Sequence, residues 1–348
     1  MTASPKIQKR IKCVVWDLDG TIWDGILMES CEVRLRPGIR HIIETLDHRG
    51  ILHSIASKNS YRDAVCKLKE LGLEEYFLYP EINWNAKSAS IGSIRKNLNI
   101  HTDSILFVDD DPRERDEVNS VYPNIRCVDA SDVGTLPDMP CLNPRFITED
   151  SKKRRRMYLS DIRRRKAEAE FQGPRKEFLA TLNIQLEITD AREGDLERAE
   201  ELTVRTNQLN TTGRMYGYTE LKALMGSPKH RLIMCQMKDK YGDHGKIGLA
   251  LVEVTEDYLW LRLFLMSCRV MSLGVGTVLL SYIMQNAKKA GKTLRADFRD
   301  TGRNRIMYIT FVFANFKQIG VRKAGSVILE NDLSSIQAFP SYMKISVE

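Results

Sequence analysis

The sequence predicts an α/β protein of two unlike halves: a doubly wound parallel sheet, then a second α/β domain of different pattern. Three observations carry this. Apolar runs alternate with helical stretches across residues 11–130. Acidic residues stand just past two of those runs, where open parallel sheets hold their ligands. From about residue 184 the pattern changes to consecutive strands, a glycine turn and a long amphipathic helix.

Each element follows from its local pattern. "IKCVVWDL" (11–18) is a strand ending in acids, and "PGIRHIIETLDHRG" (37–50) has helical spacing with a glycine stop. "ILHSIAS" (51–57) is a second strand, "YRDAVCKLKELGL" (61–73) a second helix and "SASIGSIRKNLNI" (88–100) a third. "SILFVDD" (104–110), "ERDEVNSVYP" (114–123) and "IRCVDA" (125–130) continue as strand, helix and strand. The proline-rich 131–150 reads as a boundary, and a basic helical linker follows. The expected organisation is a first domain over 1–145, a linker over 146–183 and a second domain over 184–348. In that second domain "IQLEITDA" (184–191) is a strand and 193–209 a helix. Two or three strands fill 230–267, a helix runs over 275–291, a strand over 293–299 and a helix over 304–316.

Bulk composition narrows the function classes. Seven cysteines are scattered without a C-x-x-C pair, which argues against a zinc site or a disulfide framework. The first thirteen residues lack a signal-peptide core, and no run spans a bilayer, so a cytoplasmic chain without membrane contact is expected. The net charge of +7 is concentrated in 152–176, which holds eleven Lys/Arg and three Asp/Glu. No nucleic-acid motif accompanies this segment, and no nucleic-acid partner is expected. The segment fits an interdomain helix with a solvated basic face, or a patch that meets an acidic protein.

The first half carries a carboxylate constellation. Asp17 and Asp19 stand two residues apart at a strand end, so strand alternation lets both point the same way. Gly20 permits a tight turn and Thr21 adds a hydroxyl; Asp109, Asp110 and Asp111 close a second strand. Carboxylates gathered at one edge repel unless a cation neutralises them, and hard oxygen ligands favour Mg²⁺. A carboxylate beside Mg²⁺ can attack phosphorus, with a lysine sharing the developing charge.

Asp17-Leu18-Asp19-Gly20-Thr21 matches the D-x-D-x-T motif, and the first half resembles the haloacid dehalogenase (HAD) superfamily of phosphotransferases. That resemblance implies a HAD-like first sheet. It makes Asp17 the nucleophile and a Mg²⁺ ligand, and Asp19 the general acid/base that also meets the metal through its backbone carbonyl. It makes Ser57, followed by Lys58-Asn59, the phosphate-binding hydroxyl, Lys87 the lysine, and Asp109 and Asp110 the acidic metal pair.

Three strings in the second half, "VRTNQLNTT" (204–212), "YGDHGKIGLALV" (241–252) and "FLMSCRVMSLGVG" (264–276), extend the likeness. With the HAD motifs, the chain from about 11 to about 320 resembles the FkbH-like family, a HAD-type domain joined to a GNAT-like (acetyltransferase-fold) domain. The family makes glyceryl thioesters on phosphopantetheinylated acyl carrier proteins from 1,3-bisphosphoglycerate, for polyketide extension or tetronate formation. The resemblance implies that Cys268 accepts the glyceryl group. His244, in a Gly-Asp-His-Gly turn, is the candidate base, and Arg269 a source of positive charge or a substrate-phosphate ligand. Asn207, Gln208 and Asn210 either hold glyceryl hydroxyls or cap the preceding helix. Gly274 and Gly276 open a helix whose N-terminus suits the phosphodiester of the carried arm. Met271 stands where acetyltransferases usually begin their pyrophosphate pattern with Gln or Arg, which disfavours coenzyme A. The family commonly has Asn where this chain has Gly20, and "DTGRNRIMYITFVFANFK" (300–317) replaces its Lys-Asn string, with Asn304 in the corresponding stretch. Two other readings compete: a HAD phosphatase fused to a coenzyme A-dependent acyltransferase, and a non-catalytic protein docking through 152–176.

Overall fold

The structure is a computed structural model that describes residues 10–29, 32–322 and 325–348. Cys31 and the segment 1–9 lie outside the described residues. The chain divides into two compact units, Met1–Leu159 and Ser160–Glu348.

The first unit runs β1 (Cys13–Trp16), β2 (Trp23–Asp24), β3 (Arg34–Leu35), α1 (Ile39–His48), β4 (Leu52–Ser57), α2 (Tyr61–Glu70) and β5 (Glu81–Ile82). It continues with α3 (Lys87–Leu98), β6 (Ile105–Asp109), α4 (Pro112–Val121), β7 (Arg126–Asp129) and α5 (Glu149–Lys152). Its main sheet has the order β5-β4-β1-β6-β7 and every pairing in it is parallel. β1, β4 and β6 are buried at every position, as strands covered on both faces must be. The strand order reverses beside β1, and the crevice that this opens lies at the carboxyl ends of β1, β4 and β6. The α/β class and the doubly wound parallel sheet are as expected. The proline-rich stretch is not a bare boundary: it coils as 3₁₀ turns over Ala130–Asp138 and Pro140–Leu142, and Leu136 and Leu142 are fully buried in this unit's core.

A helix α6 (Arg154–Glu170) follows, then α7 (Arg175–Ala180), β8 (Ile184–Asp190), α8 (Leu196–Arg205), α9 (Tyr218–Met225), β9 (His230–Asp239), β10 (Gly242–Val254) and β11 (Tyr258–Met266). The chain ends with α10 (Val275–Lys289), β12 (Thr293–Arg299), α11 (Arg305–Phe313), β13 (Lys317–Val321), β14 (Ser326–Asn331) and β15 (Met343–Val347). The second sheet is mixed, in the order β13-β14-β12-β11-β10-β9-β8-β15. Alternation along β11 sends Leu263 and Leu265 to the α8 and α9 side, and Phe264 and Met266 to the α10 and α11 side. β11 and β12 pair in parallel from Tyr258/Thr293 to Leu261/Ala296. Beyond that point residues 209–211 wedge between them: Thr211 N donates to Phe264 O at 3.0 Å, and Arg299 N donates to Thr211 O at 3.0 Å. Among the described residues, no helix is long and apolar enough to cross a membrane.

Eight of the eleven Lys/Arg of the basic segment are exposed, and three of its arginines are paired inside. In the first unit Arg154 is buried and donates to Gly50 O at 2.8 Å. Arg155, also buried, pairs with Asp47 at 3.0 Å and Glu75 at 2.9 Å and stacks on Tyr76. In the second unit Arg164 pairs with Asp161 at 2.6 Å and Asp239 at 3.1 Å, all three side chains buried. Guanidinium groups have long stems and five donors, so they can be buried once each charge meets a carboxylate or carbonyl.

His53 in β4 predicts an acid limb to stability. Its Nδ1 accepts from Trp16 Nε1 at 3.0 Å, which leaves Nε2–H to donate to Ile43 O at 3.1 Å. Burial lowers its pKa from 6.5 to about 3. The unfolded chain therefore takes up a proton that the folded chain refuses. Stability present above pH 6.5 is lost as pH falls toward 3, by on the order of 4 kcal/mol. His53→Gln keeps an acceptor and a donor without titrating. Urea unfolding of the full chain, followed by tryptophan fluorescence, should lose less stability between pH 6.5 and 4 in this variant. An unchanged pH slope would contradict the assignment.

Candidate functional site

The first unit's crevice is a cavity of about 350 Å³. Asp17, Asp19, Ser57, Lys58, Lys87, Asp109 and Asp110 all line it. Asp17 leaves the end of β1 with its backbone N bonded to Val108 O at 2.9 Å, which fixes the side chain beside β6. Lys87, the first residue of α3, is buried and donates to Asp17 Oδ1 and to Ala56 O at 2.9 Å. The same ammonium meets Asp109 Oδ2 at 3.1 Å. Ser57 also bonds to Asp17. Burial raises the Asp17 pKa, against the opposing charge of Lys87. Burial, then the Asp17 charge, raises Asp109 to about 7. Burial alone would lower Lys87, but the two carboxylates outweigh it and hold its pKa up.

Asp19 has a different environment. Its Oδ1 accepts from Trp23 Nε1 at 2.6 Å and Leu27 N at 3.2 Å, and its Oδ2 accepts from Asn59 Nδ2 at 3.0 Å. Asn59 thus reaches the site through Asp19. Lys58 is exposed and pairs with Glu114 at 2.7 Å across the cavity rim. Thr21 Oγ1 donates to Asp110 Oδ1 at 3.5 Å. Sequence reasoning missed Trp23, Glu114 and Arg36, whose Nη1 donates to Gly20 O at 2.7 Å. Nothing in the local sequence marks these three as site residues.

The acids fit a hard divalent cation. One oxygen from each of Asp17, Asp109 and Asp110 lies within 4.8 Å of the others. Buried Asp109 Oδ2 carries the Lys87 ion pair and accepts no hydrogen bond among the described residues. Three carboxylate oxygens suit Mg²⁺. The Asp19 side chain is held by Trp23, Leu27 and Asn59, which leaves its backbone carbonyl as the group the resemblance gives to the metal. Gly20 sits at φ +65°, and a Cβ there would overlap the Asp110 carboxylate. Gly20→Ala should therefore displace Asp110 and weaken Mg²⁺ binding about tenfold, read by titration calorimetry. Unchanged affinity would remove Asp110 from the ligand set.

The second unit holds the thiol. Cys268 is half-buried and opens a 3₁₀ turn, Cys268–Leu273, between β11 and α10. Cys13 and Cys235 are buried thiols whose pKa burial drives far upward, as suits inert core residues. His244 is not in a loop. Asp239 Oδ1 accepts from Tyr241 N at 2.8 Å and Gly242 N at 3.2 Å, which closes the hairpin earlier and leaves His244 inside β10, fully buried. Its Nε2 meets Asp239 Oδ2 at 3.0 Å and Arg164 Nη1 at 3.4 Å, and its Nδ1 lies 3.8 Å from Asp161 Oδ1. Burial would raise Asp239, but its bond to His244 and the nearby charges hold it below the usual carboxylate range. The link to the cysteine segment runs through the backbone: Arg269 Nη2 donates to His244 O at 3.2 Å, and Arg164 Nη2 donates to Arg269 O at 3.2 Å. Arg269 is itself buried.

The amide side chains divide. Asn207 and Gln208 are half-buried just past the end of α8. Asn210 is fully buried, and its Oδ1 accepts from Thr212 N at 3.1 Å and Gly213 N at 2.9 Å. It therefore builds a turn and does not face a ligand, a correction to its expected substrate role. Asn304 clamps that turn, donating to Asn210 O at 2.8 Å and Arg299 O at 2.9 Å. Gly274, at φ +79°, starts α10. With Gly276 it lines a cavity of about 110 Å³, walled by Phe264, Met266, Val270 and Met307.

Neither a scan against protein-family models nor a search of curated proteins gave a match. Among solved structures, residues of this chain resemble the N-terminal part of protein BF1531 from Bacteroides fragilis, containing a phosphatase domain complexed with Mg. The identity is 27%, over 39% of this chain and 40% of that one, with a TM-score of 0.33. They also resemble the ribosomal-protein-S18-alanine N-acetyltransferase from Escherichia coli, with 15% identity over 44% of this chain and 96% of that one and a TM-score of 0.35. An N-acetyltransferase from Staphylococcus aureus Mu50 is similar at 16% identity, over 43% of this chain and 99% of that one, with a TM-score of 0.34. These scores are low, so the function rests on the residues of the two sites.

Proposed function

We propose that the chain is a bifunctional glyceryl transferase and phosphatase. It moves the glyceryl group of 1,3-bisphosphoglycerate to the phosphopantetheine thiol of an acyl carrier protein and removes the remaining phosphate. The single observation that carries the phosphatase half is the Asp17–Lys87–Asp109 cluster, with Asp110 and Ser57 beside it in one cavity. Cys268 heads a turn whose Val270 and Met271 line an apolar cavity, which supports the transferase half.

In the transferase step the Cys268 thiolate attacks the carbonyl carbon of the acyl phosphate. The C–O bond to phosphate breaks, and phosphate leaves with the electron pair. His244, oriented by Asp239, is the candidate for taking the thiol proton. The carrier thiolate then attacks the same carbonyl, and Cys268 leaves as thiolate. One thioester replaces another, so the exchange is close to neutral in free energy.

In the phosphatase step Asp17 attacks phosphorus, and the P–O bond to the glyceryl oxygen breaks. Asp19, held by Asn59 and Trp23, donates a proton to that oxygen. Water then attacks the aspartyl phosphate, with Asp19 taking its proton, and inorganic phosphate leaves. Lys87 and Ser57 face the transferring group. Asp17, Asp109 and Asp110 would hold Mg²⁺, which would supply charge neutralisation to the transferring phosphoryl group.

Peptide mapping tests the reading. The chain is incubated with 1,3-bisphosphoglycerate without carrier, and an acyl adduct is expected on Cys268. An adduct elsewhere, or none, counts against the transferase half. Acetyl-coenzyme A turnover without a carrier would favour a coenzyme A-dependent enzyme instead.

A further inference from the structure

The helix α11 buries Met307 and Phe311 yet exposes Ile306, Ile309, Val312 and Phe313, the last at 84%. Positions 306, 309 and 313 fall on one helical face. An apolar strip of this kind on a surface helix marks a contact site. It lies beside open space. Ile306 and Met271 line the cavity at Gly274 and Gly276, and Phe313 lines an adjoining cavity of about 390 Å³. Thr277 and Thr310 line both, so the walls are continuous from the glycine turn to the far end of α11.

The sequence on either side of this strip is rich in cations, with one exposed acid, Asp300, just before α11. Residues 270–292 contain Lys288, Lys289 and Lys292 and no Asp or Glu. Residues 301–321 contain Arg303, Arg305 and Lys317, all exposed, and again no Asp or Glu. An apolar strip framed by cations complements an acidic partner with apolar contacts of its own. A symmetric contact with a second copy would set these like charges against each other. The 152–176 segment keeps eight exposed cations, but no large apolar side chain is exposed among its residues, so it lacks the apolar contacts that the α11 face offers.

We propose that the exposed face of α11, with Met271, docks an acidic carrier protein so that its thiol-tipped arm enters the cavities between α10 and α11. The proposal rests on the carrier-dependent function above and gives it a surface. Negative charges on the carrier meet the flanking cations, its apolar side chains cover Ile309 and Val312, and the arm passes Ile306 and Thr310 toward the glycine turn.

Binding is measured by titration calorimetry, without substrate. The probe is a bacterial fatty-acid acyl carrier protein bearing phosphopantetheine, added to the full chain and to Val312→Glu and Arg305→Glu. Both substituted positions are exposed, and thermal melts confirm that the variants fold. The wild type is expected to bind with an affinity that falls as salt rises, and each variant to bind about tenfold or more weakly. Equal binding by wild type and variants, or no binding by the wild type, overturns the proposal. So does weakening confined to Arg163→Glu, which would return docking to α6. Capture of the wild type by phosphatidylglycerol vesicles in preference to the carrier would assign the face to a membrane. A dimer that Val312→Glu dissolves would assign it to a second copy. Loading of free pantetheine by the wild type reports separately on acyl transfer. Binding without loading keeps the dock and removes the chemistry, whereas loading without carrier binding does the reverse.

Discussion

Asp17→Asn is expected to abolish Mg²⁺-dependent phosphate release from a phosphoglyceryl thioester, by about 10³-fold or more. The amide is nearly the size of the carboxylate, but it can neither attack phosphorus nor neutralise Lys87, which its partner charge holds in place. Because the buried ammonium keeps Asp109 at 3.1 Å, the variant should still fold. The check is a malachite-green phosphate assay with thermal unfolding of the same sample. Phosphate release at the wild-type rate by folded Asp17→Asn would place the nucleophile elsewhere.

The second large effect is on the thiol. Cys268→Ala should lose the acyl adduct and carrier loading by about 10³-fold or more, while phosphatase activity on a preformed thioester stays at the wild-type rate. The separation follows from the fold: Asp17 and Cys268 belong to different compact units with their own cores. Cys268 is half-buried, so removing its sulfur opens little cavity and should cost little stability. Cys235→Ala, at a buried core thiol, should show the opposite pattern, with stability lost and the adduct kept. A Cys268→Ala variant that still loads the carrier would make the transfer direct from donor to carrier.

Much of the first site was legible because its residues are local. Asp17 and Asp19 sit two apart after an apolar run, and Asp109 and Asp110 close another. A parallel sheet must bring such strand ends to one edge, so spacing and topology together predict the cluster. Ser57 and Lys87 came from the family motif order, and both line the same cavity. The second site was harder. Asp161, Arg164 and Asp239 surround His244, but they come from a helix and a strand far apart in sequence, and only folding joins them. Charge counting at 152–176 could not separate the three arginines paired inside from the eight exposed cations, since a run of arginines looks alike in either place. Asn210 misled for a related reason. A buried amide satisfying two backbone N–H groups of a turn carries the same letter as one that binds a ligand. The wedge of 209–211 between β11 and β12 left no signature in hydrophobic period, because it is only three residues long.

The most direct test of the whole account is the intact mass of a phosphopantetheinylated carrier protein after incubation with the chain, 1,3-bisphosphoglycerate and Mg²⁺. The account predicts a carrier that gains one glyceryl group without phosphate, and a carrier that stays unmodified with Cys268→Ala. A carrier that never gains an acyl group from the wild type, or gains one that keeps its phosphate when Mg²⁺ is present, would contradict it.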